Sequence, residues 1–108
     1  MKYQQFFEDL DKQVLYHGFK DEHQLEKALR LGLQVDDDGM IYLSEKPYPL
    51  DAPYAYTKYY VEVTIPDKSY LADWREFWED DLEHTYDYDN PYYVYTSNIP
   101  PNYLKRIR

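Results

Sequence analysis

A chain of 108 residues with no cysteine has room for one domain and a modest core, and it excludes disulfides and thiolate metal sites. Its 21 acidic residues against 12 basic ones leave a formal charge of −9. Such a surface repels phosphate backbones, so direct nucleic-acid binding is not expected and a basic protein is the natural partner.

No run approaches the roughly 18 apolar residues of a membrane span. The first twenty residues, with Glu8, Asp9 and Asp11, do not resemble a signal peptide. A soluble, cytoplasmic protein is therefore expected. Fifteen tyrosines are far more than ordinary usage. Tyrosine suits half-buried strands and amphipathic cores, and it is also enriched in aromatic clefts and at interfaces.

Tyr3, Phe6, Phe7 and Leu10 recur at helical spacing and predict a helix over 2–13. Val14-Leu15-Tyr16 reads as a short buried strand ended by Gly18. Asp21 is a good N-cap, with Gln24 three residues on, for a helix whose apolar face is Leu25, Ala28 and Leu29. Gly32 falls where a C-cap belongs. Asp36-Asp37-Asp38-Gly39 predicts a turn and Met40–Ser44 a second strand. The aspartate run is no calcium loop, because the twelfth position from Asp36 is Pro47 rather than a bidentate glutamate.

Pro47, Pro49 and Pro53 make 45–57 a loop, with room for one helical turn near 53–56. Residues 58–65 alternate and form the clearest strand, stopped by Pro66 and Asp67. A helix is predicted over 69–83, with Leu71, Trp74, Phe77, Trp78 and Leu82 on one face. An acidic, aromatic loop at 86–90 and a strand over 92–97 follow. Pro100-Pro101 allows at most a short turn before Tyr103, Leu104 and Ile107. The order α-β-α-β-loop-β-α-β indicates an α+β domain around a small sheet.

Leu15-Tyr16-His17-Gly18 and Gly39-Met40-Ile41-Tyr42-Leu43-Ser44 carry the functional signal. Each is a short apolar run ending in polar groups. If the two strand ends are neighbours, they place an imidazole, a hydroxyl and open backbone around one small-molecule cleft, with Gly18 letting a ligand approach. The chain has no glycine-rich phosphate loop, no zinc signature and no serine–histidine–carboxylate order above chance. His23 and His84 are expected on the surface.

Val14-Leu15-Tyr16-His17-Gly18, the helix end Leu29-Arg30-Leu31-Gly32-Leu33 and Ile41-Tyr42-Leu43-Ser44-Glu45, taken in order, resemble the opening of an ADP-ribosyltransferase-fold domain. Asn90-Pro91-Tyr92-Tyr93-Val94-Tyr95, followed by Asn98-Ile99-Pro100-Pro101-Asn102-Tyr103-Leu104, is similar to the closing strand of poly-ADP-ribose polymerases. It is also similar to the ending of RNA 2′-phosphotransferases. The resemblance implies one ADP-ribosyltransferase-like domain over 1–108, with a small split β-sheet and two to three helices.

It further implies NAD as cofactor, and possible mono-ADP-ribosylation of a protein target. His17 would bond a ribose hydroxyl, and Gly18 would offer its backbone to the nicotinamide amide. Tyr42 and Ser44 would line the groove, and Tyr54 or Tyr56 would stack on the nicotinamide ring. The glutamate that opens the family's closing strand is matched here by Pro91, with Asn90 before it. Asp87 and Asp89 in the preceding loop are then the candidate catalytic carboxylates. The arginines expected of the phosphotransferases are replaced by Phe19-Lys20 and Glu45-Lys46.

A different function class remains open. Asp73, Glu76, Glu79, Asp80, Asp81, Glu83, Asp87 and Asp89 form a solvated acidic surface or a docking face for a basic partner. In the second case the chain is a non-catalytic acidic interaction or inhibitor protein that binds a nucleic-acid-handling protein.

Overall fold

The structure, a computed structural model, describes residues 13–53, 56–74 and 90–108. Strand β1, Val14–Phe19, leads into helix α1, Glu22–Leu31. Strands β2, Ile41–Ser44, and β3, Tyr59–Thr64, follow on either side of the proline-rich loop. A 3-10 turn, Lys68–Tyr70, runs into the short strand β4, Leu71–Asp73. Strand β5, Tyr92–Tyr95, a 3-10 turn, Pro101–Tyr103, and strand β6, Leu104–Arg106, complete the described chain.

The six strands form one antiparallel sheet in the order β4-β5-β2-β1-β3-β6. β1 pairs with β3 along its whole length, and β2 does so with β5. The join between these halves is narrow. β1 and β2 share one paired position, Tyr16 with Ser44. This makes a mixed α+β fold, with α1 as the one α-helix among the described residues.

The local chemistry of α1 follows the sequence. The Asp21 carboxylate accepts from the Gln24 N–H at 2.9 Å, satisfying a donor that the helix start leaves open. Gly32 ends the helix at φ +86°, and its N–H donates to the Ala28 carbonyl. A Cβ there would also lie 2.2 Å from the Ile99 carbonyl oxygen, so both backbone angle and space demand glycine. Leu25 and Ala28 then pack onto a core of Leu15, Phe19, Ile41, Leu43, Val61, Val63, Tyr95 and Ile99. The Asp36 turn closes as expected, its carboxylate accepting from the Asp38 and Met40 N–H groups.

Three expectations change. Gly18 does not end β1, because it pairs with Tyr60 and Phe19 pairs with Tyr59. The helix predicted over 69–83 is not present at its described start. Asp67 caps a 3-10 turn instead, and Leu71–Asp73 pair with Tyr93–Tyr95. A cross-strand ladder there overrides helical periodicity, since propensity is a weak force beside tertiary pairing. The two to three helices expected therefore reduce to α1 and two 3-10 turns among the described residues, in one connected sheet. Strand β6 was not anticipated. It forms because Val61–Val63 of β3 offer it a free edge. Residues 2–12 of the helix predicted over 2–13, and residues 75–83, lie outside the described residues.

Candidate functional site

The narrow β1–β2 join builds the site. Past the Tyr16–Ser44 position no further rung pairs these strands. The His17 side chain spans the junction instead, with Nδ1 2.7 Å from the Tyr42 carbonyl oxygen. A carbonyl only accepts, so Nδ1 carries the proton and Nε2 is the acceptor nitrogen of the neutral ring. Burial lowers the His17 pKa below its usual 6.5, while the Tyr42 bond pulls the other way. The imidazole is therefore held uncharged at neutral pH. Phe19 meets it edge-on, with ring centroids 4.9 Å apart.

A cleft of about 460 Å³ opens beside this junction. His17, Gly18, Tyr42, Ser44 and Tyr56 all line it, so three segments distant in sequence converge there. Tyr54, Asp87 and Asp89 lie outside the described residues. The rest of the wall is largely aromatic. Tyr16, Tyr48, Tyr60 and Tyr92 bring the tyrosines in the lining to six of the chain's fifteen. Strand register explains three of these: Tyr92, Ser44 and Tyr16 stand side by side on β5, β2 and β1, and Tyr60 stands opposite Gly18. Period-two alternation points to such residues singly, but not to their alignment across strands. Tyr48 is delivered by the proline loop and carried no periodic signal.

Gly18 lines the cleft and also answers a packing demand. A Cβ added there would lie 2.2 Å from the Tyr56 carbonyl oxygen and 2.9 Å from the Tyr60 ring. The missing side chain admits the neighbouring Tyr56 backbone. That contact holds the 56–57 segment against β1 and sets Tyr56 on the cleft wall.

The proline loop is tied down at both ends. Arg108 Nη1 donates to the Tyr48 carbonyl at 2.6 Å and the Thr57 carbonyl at 2.8 Å, with its guanidinium 5.2 Å from the Tyr60 ring centre. The Tyr48 N–H donates to the Tyr60 hydroxyl, and burial raises the Tyr60 pKa against the opposing pull of that bond and of Arg108. The Tyr48 and Tyr92 hydroxyls bond one another, and Trp74 meets Tyr92 edge-on at 6.4 Å. Trp74 thus belongs to an aromatic cluster at the cleft's edge.

The Ser44 hydroxyl donates to the Lys46 carbonyl. Asn90 is buried, donating to that same carbonyl at 2.8 Å and accepting the Lys46 N–H at 3.0 Å. The Glu45 N–H donates to the Pro91 carbonyl. The Asn90-Pro91 position, where the resemblance placed a catalytic glutamate, therefore fastens the end of β2 to the start of β5.

Among the described residues no three histidine, aspartate or glutamate side chains group to hold a metal ion. No described helix is long and apolar enough to cross a membrane. No protein-family model, no curated protein and no solved structure matches this chain.

Proposed function

We propose that the cleft binds the nicotinamide–ribose half of NAD, and that the protein is an ADP-ribosyltransferase-like NAD-binding protein. One observation carries the reading: the neutral His17 shares a single tyrosine-lined cleft with Gly18, Tyr42, Ser44 and Tyr56. The narrow β1–β2 join is what a split sheet would require at that point. Small-molecule sites are typically apolar clefts of roughly 300–1,000 Å³ with a few placed polar groups. In this reading a ribose hydroxyl donates to His17 Nε2, and tyrosine rings flank the nicotinamide.

Transfer to a protein target would break the ribose C1′–N bond, nicotinamide leaving with the electron pair. An acceptor group on the target would bond to C1′ and lose its proton to a carboxylate. Asn90 and Pro91 are committed to backbone bonding, so that carboxylate is Asp87 or Asp89 in this proposal. The test is calorimetric titration of NAD into the protein and into His17→Ala and Tyr42→Ala, with label transfer from radiolabelled NAD in parallel. Saturable binding lost in both variants supports the reading. Absence of binding to the parent protein sinks it.

The charge of −9 favours a second reading, a non-catalytic acidic protein that binds a basic partner. Substituting Asp73, Glu76, Glu79, Asp80, Asp81 and Glu83 by amides, with Asp87 and Asp89 kept, and repeating pull-downs at low and high salt separates the two. NAD binding would persist in that variant, and capture of a basic partner would not.

A further inference from the structure

Tyr48 joins the two halves of the sheet across the cleft. Its backbone is held from the β3 side: the N–H donates to the Tyr60 hydroxyl at 3.3 Å, and the carbonyl accepts from Arg108 at 2.6 Å. Its ring reaches the β5 side, where the Tyr48 and Tyr92 hydroxyls bond one another. Tyr60 stands opposite Gly18, and Tyr92 stands opposite Ser44, which pairs with Tyr16. Paired positions share a sheet face, as do positions two apart on a strand, so Tyr60 and Tyr92 rise from the same face. Three strand spacings separate β3 from β5 in the order β5-β2-β1-β3, a span of about 14 Å. Tyr48 closes that span over the single rung of the β1–β2 join, and all three tyrosines line the cleft.

The two ends of this strap differ in kind. The Arg108 guanidinium holds the Tyr48 and Thr57 carbonyls through charge-assisted bonds, which are roughly twice as strong as neutral ones. The Tyr92 end is a neutral hydroxyl pair at the tip of a side chain, worth about a three- to tenfold shift in an equilibrium. Rotation about the Tyr48 side-chain bonds breaks that pair and leaves the backbone in place.

We infer that Tyr48 is a hinged strap over the cleft: Arg108 and Tyr60 fix its backbone, and the Tyr92 hydroxyl is the latch that releases its ring to admit a ligand. Tyr92 and Arg108 are positioning residues that act on the cleft through Tyr48. The gating role rests on the proposed NAD site; the movement of the ring does not.

Nitration by tetranitromethane, read at each tyrosine by peptide mass spectrometry, follows the ring, and amide hydrogen exchange follows the Tyr48 N–H. In the parent protein Tyr48 should be nitrated more slowly than the exposed Tyr56. Tyr92→Phe deletes the latch hydroxyl and keeps the ring that Trp74 meets. Tyr48 nitration should then rise about three- to tenfold, with Tyr48 N–H exchange within about twofold of the parent. Arg108→Ala should instead raise that exchange at least about fivefold, because the loop backbone itself is released. In stopped-flow mixing of NAD with Tyr92→Phe, association and dissociation rates should rise together, with Kd within about twofold of the parent.

Tyr48 nitrated as fast as Tyr56 in the parent overturns the inference, as does unchanged Tyr48 nitration in Tyr92→Phe. So does Tyr48 exchange that rises in Tyr92→Phe as far as in Arg108→Ala, which would mean that the loop moves as one body. The two proposals fail separately. NAD that binds Tyr92→Phe with unchanged rates removes the gate and leaves the NAD site standing. The expected nitration and exchange without NAD binding removes the NAD site and leaves the strap.

Discussion

Gly18→Ala tests the cleft's construction most directly. Gly18 does not have positive φ, so alanine meets no dihedral penalty there and gains about 0.4–1 kcal/mol through a less flexible unfolded chain. Against this stands the 2.2 Å approach of its Cβ to the Tyr56 carbonyl oxygen, with the Tyr60 ring at 2.9 Å. Ordinary contact requires the Tyr56 backbone to retreat by about 1 Å, and overpacking of this kind costs about 1–3 kcal/mol. The net expectation is a loss of about 1–2 kcal/mol, or a Tm roughly 5–15 °C lower. Because Tyr56 is exposed, part of the strain is relieved by moving its segment outward, which opens the cleft wall.

Urea and thermal unfolding give the stability change, and amide NMR shifts locate the displacement. Shifts should concentrate at residues 56–60 and across the cleft. Gly32→Ala, with positive φ and an obstacle in the buried Ile99 bridge, should cost more. A Gly18→Ala protein as stable as its parent, with the Tyr56 resonances unmoved, would refute the packing argument.

Other substitutions probe the remaining ties. Asn90→Ala removes two bonds from a buried side chain to Lys46 and should cost about 2–4 kcal/mol, read as the shift in urea midpoint. Arg108→Ala releases the Tyr48 and Thr57 carbonyls; a loss of about 1–3 kcal/mol and faster proteolytic cleavage within 45–57 are expected. The His17 pKa lies lower in the folded than in the unfolded state, so the unfolded chain binds more protons as acid is added. Stability should therefore fall as pH drops through about 6.5 toward the folded-state pKa. His17→Asn, which keeps a donor for the Tyr42 carbonyl, should flatten that slope in pH-dependent denaturation.

Local signals in the sequence were sufficient wherever the deciding interaction is local. Asp21 caps α1 through a residue three positions on, Asp36 closes its own turn, and alternation over 58–65 marks β3, since each depends on neighbours along the chain. The apolar runs of β1 and β2 were equally readable. The same logic failed at Leu71–Asp73, where pairing with Tyr93–Tyr95 of β5 outweighed helical spacing, and at β6, whose strand exists through β3.

The cleft divides in the same way. His17, Gly18, Tyr42 and Ser44 drew attention by type and position. Tyr48, Tyr60 and Tyr92 did not, because only strand register and the Arg108-fastened loop bring their rings to the same wall. Gly18 shows the boundary in one residue. The sequence marked it as a place where something must come close, and the tertiary structure decided that the neighbour is the Tyr56 backbone, because only packing determines which group fills the space a missing Cβ leaves.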